Sequence, residues 1–265
     1  MATRHSNNKL PAVFLAGLAM ASTAATAGAA EPATNPDEPT LCAQAAYTMG
    51  LRYQQQSAEV AALQRQGFTL ASLRLEQQIA QHGEDADLAI ITDLDETVLD
   101  NSALLARDMA NCHDYTTWDT WKHWEREGEP RLIPGAKEFL DFADENDVAI
   151  YYVSDRYDEN KNATMETLQT LGLPQVSESN VLLLGPPKQE RRDSVAENHT
   201  VVMQLGDTLH DFSHDFAGVP LDTQRQRVTE NTERFGSDWI VFPNATYGKW
   251  SDATLEEWDA PLRTE

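Results

Sequence analysis

The chain has 265 residues, 41% hydrophobic and 24% charged, with 20 Lys and Arg against 43 Asp and Glu. A formal charge of −23 excludes a binder of nucleic acid or of anionic lipid, both of which need basic surface. Two cysteines exclude a disulfide-built scaffold and a Cys-rich zinc site.

Residues 1–30 read as a secretory signal peptide. Arg4 and Lys9 supply the positive end, Pro11 to Met20 is uncharged and apolar, and Ala27-Gly28-Ala29 fits a small-residue cleavage site. The bland alternative is an uncleaved anchor, but the second half is Ala, Gly, Ser and Thr, too weakly apolar for a good span. No cysteine near the cleavage site offers a lipid attachment point, so an exported, freely diffusing protein is expected, periplasmic or secreted. Cleavage would leave 18 basic residues against 43 acidic ones, a charge near −25, so any basic cluster becomes informative. Cys42 and Cys112 either pair in an oxidising compartment or remain two small hydrophobes.

Residues 31–40 carry three prolines and no periodicity, as a linker would. Residues 41–83 space their apolar positions helically, which predicts two helices broken near Gly67. From Asp87 the texture becomes α/β. Short apolar runs at Leu88–Ile91, Val148–Val153, Val181–Leu184 and Val201–Leu205 alternate with helical stretches, among them Gly135–Asn146 and Glu159–Leu171. This is the pattern of buried parallel strands with crossover helices, and Trp239–Phe242 adds a late fifth strand. The expectation is a Rossmann-type three-layer α/β fold, residues 41–265, with a mostly parallel sheet and a helical N-terminal extension. Between the first two strands, residues 102–132 are expected to form a small helical cap. Its Trp118, Trp121 and Trp124 recur every third residue, a spacing that suggests packing more than a binding box.

Open parallel sheets hold ligands beyond the carboxyl ends of their strands. Asp93-Leu94-Asp95 follows the first run and Ser154-Asp155-Arg156 the second. Lys188, Arg191 and Arg192 follow the third, and Gly206-Asp207 leads to His210-Asp211 after the fourth. Two carboxylates leaving one buried strand repel unless a cation or shared proton intervenes. With Asp207 as a third oxygen donor and no nearby thiol, Mg²⁺ suits the set better than zinc or copper. Ser154 and Lys188 have the hydroxyl and compact charge that bind phosphoryl oxygens.

These stretches resemble the class C acid phosphatases of the haloacid dehalogenase (HAD) superfamily. The resemblance rests on Asp93 through Asn101, Gly206 through Phe212, Ser57-Ala58-Glu59, Ile133 through Ala136, Val153 through Arg156, and Phe242 through Trp250. It implies an HAD-like fold and a phosphomonoesterase working through an aspartyl-phosphate. Asp93 would be the nucleophile and Asp95 the general acid and base. One Mg²⁺ would be held by Asp93, the Asp95 carbonyl and Asp207, with Asp211 and Arg156 supporting and Ser154 and Lys188 on the phosphoryl group. Tyr247 is the candidate substrate contact. Asp155 stands where relatives often have Asn, His210 where they often have Asp, and Leu104-Leu105 where some place an aromatic side chain.

The expected partner is a small phosphate monoester, 5′-nucleotides first, with no nucleic acid and no membrane after cleavage; a homo-oligomer stays open. An acidic optimum is expected because Asp95 must be protonated when the leaving group departs. Three alternatives remain at this point: a D-x-D glycosyltransferase, a non-catalytic module that captures phosphate esters or cations, and a phosphotransferase using the same intermediate.

Overall fold

The computed structural model describes residue 42 and residues 46–83 and 86–264. The signal peptide and linker expected over residues 1–40 lie outside the described residues. Five parallel strands form the main sheet: β1 (Leu88–Thr92), β4 (Ala149–Tyr157), β5 (Val181–Leu184), β6 (Thr200–Gly206) and β7 (Trp239–Val241). Their order is β5-β4-β1-β6-β7, which puts β1 at the centre. Every residue of β1 is buried, which is why its first four residues, Leu88–Ile91, read as an unbroken apolar run.

Alternate strand residues feed two cores. Leu88, Ile90, Ile150, Tyr152 and Met203 pack with α2 (Ala58–His82) and α5 (Ala136–Glu145). Ala89, Ile91 and Val153 meet Val195 of α7 (Lys188–Ala196) on the other face. The result is the expected three-layer α/β fold. Among the described residues, no helix is long and apolar enough to cross a membrane.

The N-terminal helices break elsewhere than predicted. They are α1 (Thr48–Gln56) and α2, parted at Ser57, whose hydroxyl accepts the Val60 N–H at 2.9 Å. An N-capping serine outweighs an interior glycine as a boundary signal. Gly67 instead lies inside α2 because an added Cβ would stand 2.8 Å from the Phe242 ring. The glycine is there for close packing.

The excursion after β1 begins with β2 (Leu99–Asp100), which pairs antiparallel with β3 (Arg131–Leu132) and so closes its base. Between them lie α3 (Ser102–Ala110), a short 3₁₀ turn at Tyr115–Thr117, and α4 (Trp121–Glu127). Cys42 and Cys112 form a disulfide with their Cα atoms 5.6 Å apart, tying the start of the described chain to the end of α3. That resolves the choice the sequence left open. Leu104 and Leu105 are wholly buried against Leu51 and Trp121, so they line a core and not an open face. The remaining elements are α6 (Lys161–Thr170), beside β5, and α8 (Leu221–Glu230), which precedes β7.

Candidate active site

The carboxyl edge of the sheet gathers the acids. Asp93 directly follows β1 and is anchored there by its N–H, which donates to Leu205 O at 2.9 Å. The chain then turns tightly, with the N–H groups of Val98 and Leu99 both donating to Leu94 O at 2.8 Å and Glu96 at φ 58°. This turn sends Asp93 and Asp95 to different surroundings. Asp207 follows β6, and Asp211 ends a 3₁₀ turn, Leu209–Asp211, that its own side chain caps. A Cβ on Gly206 would stand 2.4 Å from the Asp211 side chain, so only glycine lets that carboxylate reach the strand end.

Carboxylate oxygens of Asp93, Asp207 and Asp211 all lie within 4.8 Å of one another. Lys188, the first residue of α7, donates to Asp93 Oδ1 and to Asp211 Oδ1, each at 2.6 Å. Asn244 donates to Asp207 Oδ2 at 2.7 Å. Burial, then the charges of Asp211 and Asp95, raise the Asp93 carboxyl despite Lys188. Burial and the neighbouring Asp211 and Asp93 raise Asp207 as well. Asp211 is held below the ordinary range because Lys188 and His210 outweigh its burial. For Lys188 the cost of burial is outweighed by Asp211 and Asp93, which raise its pKa.

Lys188 thus bonds two of three crowded carboxylates, and the third, Asp207, has a neutral amide as its bond donor. An all-oxygen set of this spacing fits a hard divalent ion, which would relieve the repulsion that raises Asp93 and Asp207.

Asp95 faces elsewhere. Arg156 donates from Nη2 to Oδ1 at 2.7 Å and from Nε to both carboxylate oxygens, at 3.0 and 3.1 Å. Asn101 Nδ2 adds a bond to Oδ1 at 2.8 Å, and Ser154 Oγ stands 3.3 Å from Oδ2. The Asp95 carboxylate therefore stays out of the group formed by the other three acids, and any share it takes in a cation falls to its main chain. The clamp is nearly dry, with the Arg156 side chain 1% exposed and that of Asp95 14%.

The basic cluster divides. Lys188 alone reaches the acids, while Arg191 and Arg192 are buried braces. Arg191 donates to the carbonyls of Ser154 and Leu182, at 2.6 and 3.0 Å, and pairs with Asp155. Arg192 donates to the carbonyls of His210 and Asp211, both at 2.9 Å. Together they tie three strand ends to α7. His210 Nε2 lies 3.4 Å from Asp155. Asp155 is held well below the ordinary carboxylate range, its burial outweighed by His210, Lys188 and Arg191.

A cavity of about 1020 Å³ opens over Asp93, Asp95, Ser154, Lys188 and Asp207. One wall is aromatic. Trp118 and Trp121 meet the Tyr247 ring edge-on, with centroids 5.1 and 6.0 Å away. The Tyr247 hydroxyl donates to Glu96, so only its ring is left for a ligand. The tryptophan stripe thus splits: Trp121 is packed, Trp118 is 41% exposed on the cavity, and Trp124 points its indole N–H at Asn101 Oδ1 at 2.7 Å.

Sequence reasoning missed Glu96, Asn101, Glu125 and Asn244. Asn101 and Glu96 lay within the stretch carrying the resemblance, and Asn244 in the one near the C-terminus. No spacing signal marks Glu125.

Residues 15–250 match the family described as HAD superfamily, subfamily IIIB (Acid phosphatase). The chain belongs to that family. Two solved structures of the class C acid phosphatase from Bacillus anthracis are similar to it. One is 33% identical, covering 78% of this chain and 87% of that one, with a TM-score of 0.74. The other, with tungstate bound, is 32% identical over 82% and 93%, with a TM-score of 0.75. This acid phosphatase is therefore a phosphomonoesterase acting on small phosphate esters, and the HAD family generally uses a divalent metal.

Proposed function

We propose that the protein is an exported, Mg²⁺-dependent acid phosphatase that hydrolyses small phosphomonoesters, 5′-nucleotides foremost, through an aspartyl-phosphate on Asp93. The observation that carries this reading is the separation of two acids two residues apart. Asp93 stands in a cation-poor group of carboxylates beside Lys188, and Asp95 stands clamped by Arg156. One is placed to attack phosphorus and the other to serve the leaving oxygen.

In the first step Asp93 forms a bond to phosphorus while the ester P–O bond breaks. The bond's electron pair leaves with the alkoxide, which takes the proton from Asp95. In the second, Asp95 accepts a proton from the water that attacks phosphorus, and the bond to Asp93 breaks, releasing phosphate. Lys188 and Ser154 hold the phosphoryl oxygens against the repulsion of an acidic protein. Mg²⁺ would be held by Asp93, Asp207 and the Asp95 main chain, with Asp211 supporting, and when bound supplies charge neutralisation at the phosphoryl group.

The aromatic wall of Trp118, Trp121 and Tyr247 supports a leaving group with a planar face. The charged leader over residues 1–30 and the paired cysteines support export. The test is phosphate release by the purified protein from 5′-AMP, before chelation, after it, and after return of Mg²⁺. Release lost on chelation and restored by Mg²⁺ is expected. Release insensitive to chelation would reject the metal, and none from any monoester would reject the reading.

A further inference from the structure

Asn101 is wholly buried between the Asp93–Leu99 turn and the helical excursion, and the proposed chemistry gives it no task. Its amide is held from both ends. Oδ1 accepts the Trp124 indole N–H at 2.7 Å and lies 3.4 Å from Arg156 Nη2. Both of those groups can only donate, so the oxygen must face them and Nδ2 must face the other way. Nδ2 then points at Asp95 Oδ1, 2.8 Å away. The Asn101 main-chain N–H is also fixed, donating to Glu96 Oε1 at 3.0 Å.

The two oxygens of Asp95 are left unequal. Oδ1 accepts from Asn101 Nδ2, Arg156 Nη2 and Arg156 Nε, at 2.8, 2.7 and 3.0 Å. Its lone pairs are taken, and a proton placed there would meet three N–H groups. Among the described residues, Oδ2 has only the shared Arg156 Nε at 3.1 Å and the Ser154 hydroxyl at 3.3 Å, which can rotate from donor to acceptor.

We infer that Asn101, locked by Trp124 of α4, is a positioning residue that reserves Asp95 Oδ1 as an acceptor, so that Oδ2 carries the proton given to the leaving oxygen. The excursion thereby controls the geometry of the acid as well as the shape of the cavity. As the ester P–O bond breaks, its electron pair passes to the leaving oxygen, which takes the Oδ2 proton and leaves Asp95 as the carboxylate.

This inference rests on the reading of Asp95 as general acid, and leaving-group dependence tests the two separately. The quantity is kcat/KM, which reports steps through the first phosphoryl transfer only. The substrates are p-nitrophenyl phosphate, whose phenolate departs unprotonated, and glycerol phosphate, whose alkoxide does not. For Asn101→Ala, the loss on glycerol phosphate should be on the order of 10²-fold, against no more than about threefold on p-nitrophenyl phosphate. Trp124→Phe removes the indole N–H but keeps an aromatic ring, and should show the same asymmetry on a smaller scale. It decides the matter if Asn101→Ala does not fold. Equal losses on both esters in either folded variant would make the residue merely structural and overturn the inference. If Asp95→Asn itself lost both activities equally, the reading of Asp95 would fail. If Asp95→Asn were asymmetric and the Asn101 and Trp124 variants symmetric, only the inference would.

Discussion

The acid group at the strand ends and the aromatic wall above it are built on opposite plans. Asp93, Asp207 and Asp211 each sit within a few residues of β1 or β6, and their neighbours (Lys188, Asn244, the turn at Leu209–Asp211) leave them little freedom. Trp118 hangs from an excursion held by a disulfide, a two-stranded base and the polar contacts of α4, and it is 41% exposed. A sheet edge gives fixed positions where charge must be balanced to fractions of an ångström. A helical insertion gives a surface that can differ without disturbing those positions. On the reading proposed above, the chemistry belongs to the first region and substrate choice to the second, with Asn101 spanning them.

Replacing Asp93, the proposed nucleophile, should break that division most severely. Asp93→Asn should cost on the order of 10⁴-fold or more in turnover on every ester alike, with circular dichroism unchanged. Substantial activity in a folded variant would remove Asp93 from its role.

The anchorage of the excursion gives the next effect. Glu125 of α4 accepts from the Tyr157 N–H at 3.1 Å and from Asn160 Nδ2 at 2.6 Å, and burial raises its pKa from 4.5 to about 7. A carboxyl whose pKa is higher folded than unfolded takes up a proton on folding between those values. Its contribution is therefore full below 4.5 and is lost as the pH climbs through about 7. The loss is on the order of 3 kcal/mol. Glu125→Gln cannot titrate, so its melting temperature should fall less than that of the native protein between about pH 5 and pH 8. Parallel curves would show that this carboxyl does not link the excursion to pH.

The smallest effect should fall on selectivity. Trp118→Ala removes the exposed ring and should raise KM for 5′-AMP about tenfold, the scale of one lost stacking contact, leaving KM for glycerol phosphate alone. Equal changes on both substrates would place the tryptophan in the fold and not in recognition.

Much of this was legible in the chain. The central strand announces itself because burial on both faces selects the apolar run Leu88–Ile91, and the acids at strand ends follow from where open sheets hold ligands. The helix boundary at Ser57 was missed because Gly67 is the more conspicuous residue, and its reason for being glycine, the Phe242 ring, lies far along the chain. Arg191 and Arg192 read as part of a basic cluster, yet most of their bonds go to main-chain carbonyls, which no side-chain pattern reveals.

By itself, the order of apolar runs and the acids behind them determined a parallel α/β sheet with an anionic edge, because hydrophobic periodicity and charge spacing are local properties of a chain. Only tertiary structure decided that Asp95 turns from its neighbour to Arg156, that of three regularly spaced tryptophans Trp118 stands exposed on the cavity while Trp124 turns to Asn101, and that Asn101 faces Asp95 with its nitrogen. Those outcomes depend on hydrogen bonds between groups up to 61 residues apart. A directional bond of that kind has no signature in composition or period until the backbone has brought its partners together.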